Sequence, residues 1–228
     1  MTSMILPKAI FFDLDGTLAD TAPDLAAAVN LMRTNRGLTT VPYNILRPQA
    51  SAGARGLLSA GFQINPSDDD YDAMRVEFIH HYAHSNARLS QLFQGITELL
   101  HGLHQLNIPW GIVTNKAAHL TDPLIPLLGL QNAACVISGD TTPYAKPHPE
   151  PLFEAARRIE IAPQDCWYVG DDLRDVQAGQ AAGMATIAAA WGYCGTTEPK
   201  QWQANTILYS PLELLAIVRA LAEQKESA

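Results

Sequence analysis

The sequence predicts an α/β fold, a Rossmann-like doubly wound parallel sheet, with an all-helical module inserted after the first strand. Three observations carry that expectation. A short apolar run, Ala9 to Phe12, breaks into acidic residues at its C-terminal end, as a buried strand does where it meets a crevice. From Thr21 to about Ser90 only helical periodicity is found. From Gly95 onward strand-like runs alternate with helical stretches, and parallel strands need such crossovers. At 228 residues and 47% hydrophobic, the chain can bury a full core as one large domain or two modest ones. The pattern places an α/β core at residues 1–18 and 93–228 and a helical insert at 19–92.

Each element has a local reason. Thr21-Ala22-Pro23-Asp24 reads as a helix start, with Thr21 as N-cap, Pro in the first turn and Asp24 at the capping-box position. That helix sets Leu25, Val29 and Met32 on one face and stops at Gly37. Pro42 to Pro48 is a connector, and further helices are expected from Ala52 to Ala60 and from Asp70 to His84. In the second half, helix 96–106 precedes strand 109–114, strand 134–138 precedes helix 149–159, and strand 166–169 precedes helix 176–182. Strand 185–190 and a short edge strand at 206–209 complete the sheet. Pro123 and Pro126 are expected to split any helix between 117 and 128. Ser210-Pro211-Leu212-Glu213 opens the last helix with a capping box.

Composition narrows the partners. There are 15 Lys+Arg against 23 Asp+Glu, a formal net charge of -8 with no long basic run, so nucleic acid and anionic membrane are poor default partners. Cys135, Cys166 and Cys194 are too few and scattered for a disulfide framework or a zinc site, and the first two sit in apolar runs as small core residues. Met1 to Lys8 is too short for a signal peptide and no apolar segment reaches bilayer length, so a cytoplasmic location is expected.

Polar residues gather where strands end. Asp13 and Asp15 share parity in an extended chain, so both can face one crevice. Carboxylates there lose hydration and need a cation, and Mg2+ with oxygen ligands is the obvious candidate. Gly16 permits the turn that follows. Thr114-Asn115, Lys146-Pro147 and Gly170-Asp171-Asp172-Leu173-Arg174-Asp175 each follow a strand as well. In a doubly wound sheet ligands bind beyond the strand C-termini. Carboxylates for a metal, a hydroxyl and an amide for an anionic oxygen, and one ammonium make a set suited to phosphoryl transfer. Asp172 reads either as a metal neighbour or as a helix N-cap. His80 and His84, spaced i, i+4, lack a third ligand and read as a solvated face. Trp191-Gly192-Tyr193 reads as packing under the site or as a loop near the interface with the helical insert.

With these motifs in order, the chain resembles the haloacid dehalogenase-like phosphatases over nearly its whole length. The insert after Asp13-Leu14-Asp15-Gly16-Thr17 is similar to the helical cap of the phosphoglycolate phosphatase group. Residues 21–24, 110–116 and 170–178 look most like the N-acetylmuramic acid 6-phosphate phosphatases. The resemblance implies a Mg2+-dependent phosphatase acting on a small phosphorylated metabolite such as 2-phosphoglycolate or N-acetylmuramic acid 6-phosphate, as monomer or homodimer. Asp13 would be the nucleophile, forming an aspartyl-phosphate, and Asp15 the acid and base that lends its carbonyl to the metal. Asp171 would be a further ligand, and Asp175 would sit on the metal through water or orient Lys146. Thr114, Asn115 and Lys146 would hold phosphate oxygens, and the backbone N–H groups of Gly16 to Leu18 would point inward. Arg55, in the stretch 47–56, would pair with a substrate carboxylate, a solvated surface arginine being the alternative. Hinges are expected near 18–22 and 89–93. A sugar phosphomutase of the same superfamily and a non-catalytic phosphate-binding module are the competing readings.

Overall fold

A computed structural model describes residues 4–85 and 87–226. The chain runs through β1 (Ala9–Phe12), β2 (Ala19–Asp20), α1 (Ala22–Asn35), α2 (Tyr43–Leu46), a 3-10 turn at Arg47–Ala52, α3 (Gly53–Phe62), α4 (Tyr71–His84) and β3 (Gln91–Leu92). It continues with α5 (Ile96–Gln105), β4 (Trp110–Val113), α6 (Ala118–Thr121), α7 (Leu124–Leu127), β5 (Val136–Ile137) and α8 (Glu150–Arg158). Strand β6 (Cys166–Gly170), α9 (Leu173–Ala181), β7 (Ala185–Ala189), β8 (Thr206–Leu208) and α10 (Pro211–Glu226) close it. Among the described residues no helix is long and apolar enough to cross a membrane.

The large sheet is parallel throughout, in the order β5-β4-β1-β6-β7-β8. From β1 the chain steps outward through β4 to β5, then returns to the other side of β1 for β6. The reversal at β1 opens the crevice that such sheets use for ligands. Alternation along β1 divides the core. Ile10 and Phe12 join Leu99, Leu103, Leu214 and Val218 on one face, under α5 and α10. Ala9 and Phe11 join Leu152, Ala155 and Ala178 on the other, under α8 and α9. Both faces are dry, so β1 is apolar at every position, as the sequence reading requires of a central parallel strand. Pro123 separates α6 from α7, while Pro126 lies within α7.

Helices α1 to α4 bury a cluster of their own, built on Leu25, Val29, Met32, Leu57, Leu58 and Phe78. At its base β2 pairs antiparallel with β3, Ala19 opposite Leu92 and Asp20 opposite Gln91. Strands of two residues carry no readable alternation, which is why the sequence reading misses them. The expected capping box of α1 does not form. Thr21 stands at the N-cap position with an αR backbone (φ -99, ψ -5) and its side chain makes no cap bond. Asp24 turns into the interior instead, where its Oδ2 accepts the Leu89 N–H at 3.0 Å and the Ser90 hydroxyl at 2.7 Å. It thus ties the first turn of α1 to the segment that leads into β3. At α10 the box is offset by one residue. Ser210 Oγ lies 3.4 Å from the Glu213 N–H it caps, and Glu213 Oε2 accepts from the Tyr209 N–H at 2.7 Å.

Because Asp24 is buried and serves two donors, Asp24→Ala leaves both without an acceptor. It should lower stability by about 2 kcal/mol in urea unfolding, whereas substitution of exposed Asp72 on α4 should change it by less than about 0.5 kcal/mol.

Candidate active site

Parallel pairing brings the C-terminal ends of β1, β4 and β6 to one edge, and the residues that follow them converge. The Asp13 N–H continues the ladder to Val169 O at 2.9 Å, and the Thr114 N–H does the same to Ile137 O at 2.9 Å. Carboxylate oxygens of Asp13, Asp171 and Asp175 all lie within 4.8 Å of one another, and among the described residues this is the one such group able to hold a metal. Asp175 reaches it through the start of α9. Its Oδ2 accepts the Asp172 N–H at 3.0 Å while Asp172 Oδ1 accepts the Arg174 N–H at 2.9 Å, a reciprocal capping box. Of the two readings of Asp172, the structure takes the N-cap, and its carboxylate is further engaged by the Arg174 guanidinium at 2.7 Å.

Lys146 supplies the cation. Its ammonium lies 2.9 Å from Asp13 Oδ1 and 2.7 Å from Asp175 Oδ1, with 2% of its side chain exposed. It also donates to Val113 O at 3.0 Å and Tyr168 Oη at 2.8 Å. Burial opposes the charge on Lys146, but Asp13 and Asp175 outweigh it and hold its pKa above the usual lysine value. One ammonium cannot balance three carboxylates in a dry pocket. Burial, reinforced by Asp175 and Asp15 against the opposing pull of Lys146, pushes Asp13 up to about 7. Burial together with Asp13 and Asp175 raises Asp171 well above its ordinary value, although the Tyr193 N–H works the other way. The donor set is oxygen only, hard and in surplus negative charge, which fits a divalent cation of the Mg2+ kind.

Asp15 stands apart from that trio. Its Oδ1 accepts the Thr21 hydroxyl and the Lys116 ammonium, the latter at 3.0 Å. Lys116 in turn lies over the Tyr82 ring at 4.6 Å from the centroid. Burial opposes charge on Lys116, and Asp15 and Tyr82 more than restore it, so its pKa lies above the lysine range. Gly16 has φ +85, and a Cβ there would overlap the Asp171 carboxylate, so both the turn and the close approach demand glycine.

One sequence expectation needs correcting. The N–H groups of Gly16, Thr17 and Leu18 do not face inward as an anion cradle. Gly16 donates to Ala19 O at 2.9 Å, and Thr17 and Leu18 donate to Leu14 O at 3.3 and 3.1 Å, because the turn closes on itself. Asn115 lines the cavity and also braces the neighbouring loop. Its Oδ1 accepts the Lys146 N–H at 2.9 Å and its Nδ2 donates to Lys146 O at 3.0 Å, so the amide fixes the Lys146 loop. Thr114 is buried and lines the crevice.

Across a cavity of about 420 Å3 from these groups stand Arg55 of α3 and Arg75 of α4, with Tyr71, Phe78 and Ile79 as an apolar wall. Arg55 is exposed and lines the cavity rather than joining the carboxylates. His80 and His84 stack at 4.1 Å between ring centroids, and His84 Nδ1 contacts His80 O at 2.7 Å. Three residues of the site escaped the sequence reading, and a fourth, Tyr193, stands in the 191–193 loop that it did single out. Ser51 Oγ donates to Asp171 Oδ2 at 3.2 Å, Tyr168 braces Lys146, Lys116 holds Asp15, and the Tyr193 N–H holds Asp171 Oδ2 at 2.9 Å. Of the three that escaped, Lys116 alone had a visible signal, its place two residues beyond Thr114.

Comparison with known proteins matches the same elements. The sequence profile described as haloacid dehalogenase-like hydrolase fits residues 10–189. A phosphoglycolate phosphatase of Xanthomonas campestris pv. campestris is 44% identical over 213 residues, covering 92% of this chain and 96% of the relative. An N-acetylmuramic acid 6-phosphate phosphatase of Pseudomonas putida is 39% identical over 213 residues, again 92% and 96%. Among solved structures, a predicted phosphoglycolate phosphatase from Haemophilus somnus superposes with TM-score 0.82 at 25% identity, covering 94% of this chain and 99% of that one.

The raised Asp13 pKa gives the metal a pH signature. Folded Asp13 titrates near 7 against 3.8 as its ordinary value, so the folded state holds an extra proton between them and the contribution of this group to stability falls as pH rises through that window. A cation takes the place of the proton. Mg2+ should therefore raise the melting temperature more at pH 8 than at pH 5, and an equal shift at both would show that the carboxylates do not bind it.

Proposed function

The chain belongs to the haloacid dehalogenase-like hydrolases and is a phosphoric monoester hydrolase, and we propose that it hydrolyses a small carboxylated phosphate ester through an aspartyl-phosphate on Asp13, with Mg2+ as cofactor. The observation that carries the reading is the meeting of Asp13, Asp171, Asp175 and Lys146 at the end of β1. Asp13, Asp171 and Asp175, with the Asp15 carbonyl, would hold the cation. When bound, the cation cancels charge between an anionic nucleophile and an anionic ester.

The Leu14 N–H at 2.8 Å and the Lys146 ammonium both engage Oδ1 of Asp13, which orients the carboxylate and leaves Oδ2 to attack phosphorus. As the Asp13–phosphorus bond forms, the ester bond to the leaving oxygen breaks and that oxygen takes a proton from Asp15. Asp15 then removes a proton from water, whose oxygen displaces Asp13 and releases inorganic phosphate. Lys146 and the Thr114 hydroxyl stabilise the phosphoryl oxygens in both steps. Residues 19–92 serve as a cap over the core formed by 1–18 and 93–228, and close to exclude water.

For the leaving group, a cavity of about 420 Å3 with an aromatic wall and two arginines suits a carboxylated sugar better than a two-carbon acid. N-acetylmuramic acid 6-phosphate, named for the Pseudomonas relative, is of the first kind, and 2-phosphoglycolate, named for the Xanthomonas relative, of the second.

Phosphate release should require Mg2+ and disappear with chelator. Asp13→Asn should lower kcat by at least about a thousandfold with the fold intact. Across a panel of 2-phosphoglycolate, N-acetylmuramic acid 6-phosphate and simple hexose phosphates, the carboxylated sugar should give the highest kcat/KM. Arg55→Ala should lower that value about tenfold or more while sparing hexose phosphates. Formation of an isomerised sugar phosphate in place of inorganic phosphate would overturn the hydrolytic reading.

A further inference from the structure

We propose that Tyr193 is a positioning residue that keeps Asp15 in place for proton transfer, by capping α1 itself and so releasing the Thr21 hydroxyl to Asp15. The inference rests on the reading of Asp15 as acid and base. Tyr193 follows β7 in the loop 191–193 and is 4% exposed. Its hydroxyl accepts the Thr21 N–H at 2.7 Å and the Ala22 N–H at 2.9 Å and donates to Asp20 Oδ1 at 3.0 Å. Two acceptances and one donation exhaust a phenol hydroxyl at these distances. The ring is held in turn by Arg47, 5.1 Å from its centroid, and by Phe93 at 6.2 Å. The residue therefore grips the entry to α1 at its hydroxyl, while its own backbone N–H holds Asp171 Oδ2.

That grip explains the missing cap. Threonine at an N-cap ordinarily adopts extended backbone and offers its hydroxyl to first-turn N–H groups. Thr21 is αR and makes no such bond. Its hydroxyl proton goes to Asp15 Oδ1 instead. The N–H groups of Thr21 and Ala22 are buried in the clasp, and without the phenol the Thr21 N–H lacks an acceptor while the Ala22 N–H keeps only Asp20 Oδ1 at 3.3 Å, a cost of the order that shifts local structure. The Thr21 hydroxyl, 3.5 Å from the phenol oxygen, is the neighbouring acceptor that could replace it. Drawn toward the helix, it would leave Asp15 Oδ1 to Lys116 alone. A chain of contacts thus runs from the entry of the helical insert to the acid and base, through one hydroxyl.

Tyr193→Phe removes that hydroxyl and keeps the ring and the N–H to Asp171. It should lower kcat about tenfold to a hundredfold, part of what a misplaced proton-transfer group costs. KM and the Mg2+ concentration for half-activation should stay within about twofold, since neither Lys146 nor the carboxylate trio is touched. In an Asp15→Asn background the same change should cost nothing more, because the group it serves is already disabled. A wild-type kcat for Tyr193→Phe, or an additive loss in the double variant, would overturn this inference while leaving the phosphatase reading standing. Full activity of Asp15→Asn would instead remove the premise that Asp15 is the acid and base, and this inference with it, while hydrolysis through Asp13 would stand. If Tyr193→Phe does not fold, Thr21→Val tests the same contact with the clasp intact. It should show the same loss of kcat at unchanged KM, and an unchanged kcat would refute the proposal.

Discussion

The chemistry of this molecule depends on three carboxylates whose oxygens are held within 4.8 Å of one another in a buried pocket. Asp13, Asp171 and Asp175 come from two strand ends and one helix start, and the sheet places them by parallel pairing rather than by attraction between them. Their mutual repulsion is offset inside the protein by Lys146 and by N–H donors from Leu14, Asp172 and Tyr193. Those contacts neutralise only part of the charge, as the elevated pKa values of Asp13 and Asp171 record. The folded core tolerates the remainder because apolar burial on both faces of β1 stabilises the sheet independently of the site. A site under electrostatic stress on a rigid scaffold is the arrangement in which a bound cation does most, since it relieves the stress and aligns the groups at once.

Close packing behind the carboxylates leaves little freedom. Side chains at Gly16 and Gly192 would both collide with Asp171, so two loops from distant parts of the chain approach it by having none. The Thr17 hydroxyl, at 3.2 Å, and Ser51 complete the shell around the same carboxylate. Ser51 belongs to the helical insert and Asp171 to the sheet, so the position of the insert and the geometry of the trio are physically connected. Arg174 strengthens that connection by donating to Ser51 O at 2.5 Å while paired with Asp172.

How much of this was legible in the sequence follows from the kind of interaction involved. Strands β1, β4, β6 and β7 were readable as short apolar runs bounded by polar residues, and the amphipathic helices because a single periodicity governs each of them. Asp13 and Asp171 were readable because charge after an apolar run is costly and so conspicuous, whereas Lys146, which ends a polar loop, and Asp175, inside a helix, were assigned through the resemblance of the motifs in order. Residues that serve those groups were not. Tyr168 and Tyr193 look like ordinary core aromatics in sequence, and only the register of β6 against β1 and the path of the 191–193 loop turn their hydroxyls into hydrogen-bond hubs. Ser51 lies 120 residues from its partner Asp171, and no local pattern encodes such a contact.

The two local signatures that misled are the more instructive. Thr21 and Asp24 match a helix N-terminus in type and spacing, and a helix does begin there. Yet both side chains are taken by partners outside the helix, Thr21 by Asp15 and Asp24 by Leu89 and Ser90. Capping is a weak local preference, about 1 kcal/mol, and a buried carboxylate in need of donors outweighs it. The first turn of α1 is where the helical insert joins the catalytic strand, so its polar residues serve that junction and the helix borrows its cap from Tyr193 across the structure. A capping signature beside an acidic strand end therefore locates the helix correctly while misassigning the side chains. The displaced cap itself marks the residues through which the insert touches the site.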